Sequence, residues 1–138
     1  PLKISDTWPT AVNLNALPTP APDAEVVGSR VFRFEYCYLL TNGTLSTVPP
    51  SVSTIAAIVV DIGIIDPKSK VLLSDSQVAA FAMPGDPNFL SDYISGMRPG
   101  QLVAQWQNTL NGITSLPRPA ISGIRLYERF FYLAPSSP

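Results

Sequence analysis

The stretch RVFRFEYCYLLTNGTLSTV, residues 30–48, constrains the fold more than any other part of the sequence. Within residues 30–40, aromatic side chains occupy every second position from 32 to 38, which predicts a β-strand with two distinct faces. Asn42-Gly43 tolerates the positive φ of a tight turn, so a return strand over residues 44–48 is expected. The pattern therefore predicts an antiparallel hairpin.

Three further strands are predicted downstream. Residues 54–65, TIAAIVVDIGII, are rich in β-branched residues and suit a central strand that is buried on much of both faces. A turn over residues 66–69 and a short strand over residues 70–73 follow. Residues 123–133, GIRLYERFFYL, alternate again and predict a C-terminal strand.

The region between these strands has helical signals. Ser74 with Gln77 predicts a capping box that opens a short helix ending near Met83. Asp86-Pro87 predicts a second short helix near residues 87–95. Residues 101–111 give the clearest helix prediction, in which one face carries Leu102, Val103, Trp106 and Leu110. The expected fold is α+β, mostly antiparallel β, with a strand meander, short helices between strands and a C-terminal strand.

The chain divides into a lead and a body. Residues 1–25 are rich in proline and are expected to form an extended lead or linker, in which Trp8 makes an anchoring contact. Residues 26–138 are expected to form a single globular domain.

Composition argues against several classes of function. The net charge is −1, only 14% of residues are charged, and no basic cluster is present, so we expect no nucleic-acid partner. The sequence contains no histidine, which removes Ser-His-Asp and Cys-His catalysis and the main ligand of common metal sites. We predict no cofactor, no metal site and no enzymatic activity.

Three carboxylates lie on predicted strands: Glu35, Asp61 and Glu128. Two of them converging on a sugar would suit a glycoside hydrolase. The preferred interpretation is structural ion pairing across strands, with the arginines available for it being Arg33, Arg125 and Arg129. Cys37 is interpreted as a small buried hydrophobe.

Aromatic residues on the strands exceed what a one-sided sheet would bury. Most of them are expected to fill the core. The ones we assign to a subunit interface are Tyr127, Phe131 and Tyr132.

Taken in order, several segments resemble the soluble head of a minor type IV pilin or pseudopilin of the W/J class. They are the opening strand and turn, GSRVFRFEYCYLLTNGTLSTVPP, the strand IAAIVVDIGIID with KSKVLL, the tryptophan helix LVAQWQNTL, and the closing strand GIRLYERFFYL. The resemblance covers roughly residues 26–133 and rests on pattern and strand order.

The resemblance implies a structural role in a pilus or secretion-type pseudopilus, in assembly or initiation at the fibre tip. Its implied partners are other minor and major pilin or pseudopilin subunits. It also implies an N-terminal helix before Pro1 that anchors the protein in the inner membrane before assembly, with the head in the periplasm or at the cell surface. The isolated head is expected to be monomeric. The alternatives are a secreted or surface adhesin or carbohydrate-binding module, which would need coplanar exposed aromatics, and the hydrolase.

Overall fold

The structure is a computed structural model that describes residues 30–133, and its centre is a four-stranded antiparallel sheet. The strands are β1 (Val31–Leu40), β2 (Leu45–Ser46), β3 (Ile55–Ile65) and β4 (Ile124–Tyr132). Their order across the sheet is β2-β1-β3-β4, and every neighbouring pair is antiparallel. The predicted fold class, α+β and mostly antiparallel β, is confirmed. The predicted boundary at residue 26 lies outside the described residues.

Four helices connect β3 to β4. They are α1 (Pro67–Lys70), α2 (Asp75–Ala80), α3 (Gln101–Gly112) and α4 (Arg118–Ser122), and a short 3-10 helix (Val52–Thr54) precedes β3. The predicted capping box is present: the backbone N–H of Gln77 donates to Ser74 Oγ at 3.2 Å, and the N–H of Ser74 donates to Gln77 Oε1 at 2.8 Å. The predicted helix at residues 101–111 is also confirmed, one residue longer.

Two predicted elements are wrong. Residues 70–73 do not form a strand, because Asp66 caps a helix that Pro67 opens, with the N–H of Ser69 donating to Asp66 Oδ1 at 2.9 Å. Residues 87–95 do not form a helix, since carbonyls in this segment accept from side chains elsewhere in the fold. Trp106 Nε1, for example, donates to the carbonyl of Ser91 at 2.7 Å.

Other elements depart from the prediction; helix α2, for example, ends at Ala80, where an end near Met83 was predicted. The return strand β2 covers only two residues, where residues 44–48 were predicted. Helix α4 was not predicted at all, although its signals are present: a proline in its first turn and Gly123 immediately after its end.

Side chains on the strands alternate between two faces of the sheet. The inner face packs against the helices, and the register aligns its residues in rows across β1, β3 and β4: Cys37–Val59–Phe130 and Glu35–Asp61–Glu128 are two of them. The buried core joins this face to Phe81, Leu90, Leu102 and Trp106, none of which is exposed. The outer face, in contrast, is lined by the rows Phe34–Ile62–Tyr127, Tyr36–Val60–Arg129 and Tyr38–Ile58–Phe131.

A close approach between α1 and the start of β4 depends on Gly123. The backbone N–H of Asp66 donates to the carbonyl of Gly123 at 3.1 Å, and Ser69 Oγ donates to Asp66 Oδ2 at 2.7 Å beside it. A Cβ added at Gly123 would lie 1.8 Å from Ser69 Oγ and 2.0 Å from Asp66 Oδ2. Glycine is therefore required here for space.

We predict that Gly123→Ala lowers the free energy of unfolding by about 1–3 kcal/mol, because the methyl group displaces the side chains that cap α1. Gly112→Ala is the matched control, since a Cβ at this helical position meets nothing within 4 Å. Alanine there should be neutral or stabilising by up to about 1 kcal/mol. Urea denaturation of the two variants measures both effects, and equal stability of the two would contradict the assigned packing.

Candidate functional site

The inner face of the sheet carries a buried arginine that makes contacts in several directions. Arg33 is only 9% exposed. Its Nε donates to the carbonyl of Leu90 at 3.0 Å, one terminal nitrogen lies 3.1 Å from Glu35 Oε1, and the other forms an ion pair with Asp92. The guanidinium also lies over the rings of Phe89 and Trp106, 5.5 and 5.7 Å from their centroids. The charge is thus neutralised and each guanidinium nitrogen has a partner, as a buried cation requires.

Beside Arg33, three carboxyl groups lie in one row across the sheet. Glu35 pairs directly with Asp61 in the β1–β3 register, and Asp61 pairs directly with Glu128 in the β3–β4 register. Like charges placed opposite one another on neighbouring strands are destabilising, so each group needs its own compensation. Glu35 has Arg33, and Glu128 Oε1 accepts a 2.6 Å hydrogen bond from the N–H of Gly100, at the start of α3.

The central carboxyl group is the least compensated. Asp61 is fully buried, its Oδ2 accepts a 2.6 Å hydrogen bond from the hydroxyl of Tyr93, and its Oδ1 has no hydrogen-bond partner. Burial raises the pKa of Asp61 from 3.8 to about 6, and the charges of Glu128 and Glu35 act in the same direction. The hydrogen bond from Tyr93 opposes this rise. Below about pH 6, the folded chain therefore favours the neutral form of the Asp61 carboxyl group.

Neighbouring groups follow the same electrostatics. Burial raises the pKa of Tyr93, and its hydrogen bond to Asp61 raises it further. Burial raises the pKa of Cys37 to about 11, and that of Glu35 also rises through burial although Arg33 opposes the change. These shifts keep the Cys37 thiol and the Tyr93 hydroxyl protonated, so neither is an activated nucleophile.

None of the predicted pairs is formed across strands among these residues. Arg33 and Glu35 do form an ion pair, but both lie on β1, whereas Arg125 and Arg129 lie on the outer face while Asp61 and Glu128 lie on the inner face. The prediction of pairs with those two arginines is wrong because residues an odd number apart on a strand point to opposite sides of the sheet.

The hydrolase hypothesis gains no support from this arrangement. Glu35 is paired with Arg33, Glu128 is bound to a backbone amide and Asp61 is fully buried. Two open grooves on the surface are lined by other residues. A glycoside hydrolase requires two carboxyl groups that face a bound sugar.

Within residues 30–133, several aromatic side chains of the outer face are exposed. Helices α2, α3 and α4 contribute residues to the core on the inner side, whereas on the outer face Tyr36 is 41% exposed, Tyr127 43% and Phe131 58%. Tyr132 is 72% exposed and lies on the inner side at the end of β4, with its ring stacked 6.2 Å from that of Phe130. The three residues predicted for an interface are therefore all accessible, on two sides of β4.

Sequence reasoning missed the residues that hold the carboxyl row in place. Tyr93, Asp92 and Gly100 all come from the segment between α2 and α3 (residues 81–100) and contact strand residues 28 to 59 positions away. No local pattern marks such contacts. A buried aspartate in an apolar strand was the one available signal that a distant polar partner exists.

No described group of side chains suits a metal. Within residues 30–133, no cluster of three or more His, Cys, Asp or Glu side chains is arranged to hold a metal ion.

Comparisons with protein-family models, with curated proteins and with solved structures gave no match. None of the helices described in this range has the length and apolar character needed to cross a bilayer.

We predict that Arg33→Lys lowers the free energy of unfolding by about 2 kcal/mol or more, since a lysine ammonium cannot bond Leu90, Glu35 and Asp92 together or stack between two rings. Arg98→Lys is the control, because Arg98 is exposed and its replacement should change stability by less than about 0.5 kcal/mol. Guanidinium denaturation compares them. An unchanged midpoint for Arg33→Lys would contradict the assigned role.

The raised pKa of Asp61 predicts a loss of stability as pH rises. The unfolded chain ionises Asp61 near its ordinary pKa of 3.8, whereas the folded chain holds the proton up to about pH 6. Stability from this group is therefore fully present below pH 3.8 and is lost as pH rises through 6. Relative to Asp61→Asn, the unaltered chain should lose about 2 kcal/mol between pH 4.5 and 7.5.

The control for this comparison is Asp75→Asn. Asp75 is exposed, and its hydrogen bond from Lys70 lowers its pKa, so its own contribution has the opposite sign. The variant should retain the loss of stability between pH 4.5 and 7.5. Parallel pH profiles for the unaltered chain and Asp61→Asn would show that Asp61 is ionised throughout, against this assignment.

Proposed function

We propose that this chain is the head of a minor subunit of a type IV pilus or a type II secretion-type pseudopilus, acting in fibre assembly or initiation at the tip. The proposed partners are other minor and major subunits of the fibre. The proposed location is the periplasm or cell surface, with anchoring in the inner membrane before assembly.

The observation that carries this proposal is the apolar outer face of the sheet. Its middle rows combine β-branched residues of β3, such as Ile58 and Ile62, with aromatics on both neighbouring strands. Helices α2, α3 and α4 contribute to the core on the other side. A sheet with one covered face and one apolar accessible face is suited to packing against an apolar helix or another subunit. Fibre subunits need such a surface, and the resemblance in strand order supports the same function.

The binding-module alternative is less well supported by the ring geometry. Carbohydrate platforms use aromatic rings that are coplanar and exposed. On the outer face, the rings of Tyr36 and Tyr38 meet at 83° and those of Phe34 and Tyr36 at 44°. Rings at these angles do not present one flat surface to a sugar. The outer face therefore fits a protein partner better than a planar ligand.

The test is complementation in the organism that encodes the chain. Deleting the gene should reduce surface fibres or fibre-dependent secretion, and the unaltered full-length gene should restore them. Phe131→Glu should fail to restore them, because a carboxylate at an outer-face position opposes apolar packing between subunits. The measurement is the number of fibres per cell by electron microscopy, with secreted protein quantified in parallel.

Ile94→Glu is the matched control. Ile94 is a similarly exposed apolar residue, at 64% against 58% for Phe131, but it lies in the segment between α2 and α3. Its variant should restore fibres fully. Thermal melts of both variants must match the unaltered chain, so that misfolding does not explain a loss. A deletion without effect on fibres or secretion, or full restoration by Phe131→Glu, would refute the proposal.

A further inference from the structure

The sheet ends on one side in a long strand whose outer edge is open. Strand β4 has nine residues and pairs with β3 from Ile65↔Ile124 to Ala57↔Tyr132 without a register shift. Among residues 30–133, no strand pairs with its other edge. It also contains no proline. Natural edge strands are usually shortened, bulged or interrupted by proline, because an open edge is a template for pairing with another chain.

The ladder shows which backbone groups this edge presents. The N–H of Leu133 donates to the carbonyl of Ala56 at 3.0 Å, and the carbonyl of Gly123 accepts from Asp66 at 3.1 Å. Odd-numbered residues of β4 therefore bond to β3, since bonding directions alternate along an antiparallel strand. Even-numbered residues direct their N–H and C=O groups to the open edge.

Not all of these edge groups are equally available. The carbonyl of Ile124 already accepts from the guanidinium of Arg125 at 3.1 Å. Leu126, Glu128, Phe130 and Tyr132 remain, with an N–H and a C=O each. The Glu128 side chain does not occupy these edge groups, because its Oε1 accepts from the N–H of Gly100. An incoming strand could thus form its main-chain bonds along the middle of β4.

A groove next to the edge offers room for side chains of such a strand. It has a volume of about 450 Å³ and lies between the end of α3, helix α4 and the start of β4. Its lining combines polar groups with an apolar floor and includes Gln107, Asn111, Arg118, Ile121 and Leu126. In strand addition, main-chain bonds supply affinity and flanking pockets select side chains.

The charges around the edge favour an acidic partner. The outer-face positions of β4 include Arg125 and Arg129, and the described outer face carries no acidic side chain because Glu35, Asp61 and Glu128 all face inward. Arg129 is exposed and has no ion pair or side-chain hydrogen bond with another described residue. A carboxylate directly opposite Arg129 on a neighbouring strand would form a cross-strand pair.

A second copy of the chain meets this requirement poorly. Antiparallel pairing of β4 with itself centred on Tyr127 places Arg125 opposite Arg129 twice. Centring it on Glu128 or on Arg129 places two identical charges opposite each other. The three registers with the greatest overlap are therefore all penalised by like charges.

We propose that the open edge of β4 binds an extended segment of a partner protein that carries acidic side chains at alternate positions. The segment pairs with Leu126, Glu128 and Phe130 through its main chain, and one carboxylate faces Arg129. This site goes beyond the proposed function and does not depend on it, since the edge would bind such a segment whether or not the chain belongs to a fibre.

The probe is a nine-residue peptide that alternates valine and glutamate, added to the 15N-labelled 138-residue chain at low salt. Amide shifts should change, and amide exchange should slow, at Leu126, Glu128 and Phe130. Replacing glutamate by lysine in the peptide should weaken binding roughly tenfold, since each cross-strand charge pair changes from attraction to repulsion. Methylating alternate peptide nitrogens should abolish binding by removing main-chain donors.

Charge reversal in the protein completes the test. Arg129→Glu should invert the preference, so that the valine–lysine peptide binds more tightly, whereas Arg98→Glu at an exposed site outside the sheet should leave it unchanged. Several results would overturn the proposal: no binding at millimolar peptide, equal binding of both peptides, or shifts confined to other surfaces. Protection of the same amides by self-association of the chain alone would assign the edge to a second copy instead.

Discussion

A buried positive charge holds the two layers of this protein together. Arg33 belongs to β1, yet its partners include the carbonyl of Leu90 and the carboxylate of Asp92 in the segment between α2 and α3, and its guanidinium lies over the Trp106 ring of α3. A guanidinium in such a place must keep all of its donors satisfied. This requirement fixes where an otherwise irregular segment crosses the sheet, and with it the position of α3.

The strand register determines how charge is distributed over the two faces. Because side chains alternate along the regularly paired parts of the strands, the carboxyl groups of the three long strands fall in one inner row, while the β4 arginines fall on the outer face. The inner row places three carboxyl groups side by side, and of these Asp61 is fully buried. Arg33 compensates Glu35, the N–H of Gly100 at the start of α3 compensates Glu128, and the pKa of Asp61 is raised. The outer face keeps its apolar character and gains a basic border. The alternation of side chains along the strands thus gives the sheet two faces of different chemistry.

Local patterns made part of this architecture readable from the sequence. The alternation in β1 and β4 and the capping box of Ser74 and Gln77 act within a few residues, and the structure has all of them. The path of residues 81–100 could not be predicted from the sequence. Its backbone accepts hydrogen bonds from side chains up to 57 positions away, and local patterns do not indicate such distant partners. The partner of Asp61 was missed for the same reason, since Tyr93 lies 32 positions along the chain. The buried aspartate could be noticed in advance, but its compensation could not.

Cys37 gives the fold a property that follows from its position in mid-strand. It is the chain's single cysteine, it has no exposed surface, and burial raises the pKa of its thiol to about 11. Folded copies cannot be joined by a disulfide, even under oxidising conditions, because the sulfur reaches neither a partner thiol nor an oxidant. Any covalent modification of this thiol requires β1 to separate from the helical layer first. The rate at which a thiol reagent modifies Cys37 therefore reports how readily the sheet opens, and no label has to be added to the chain.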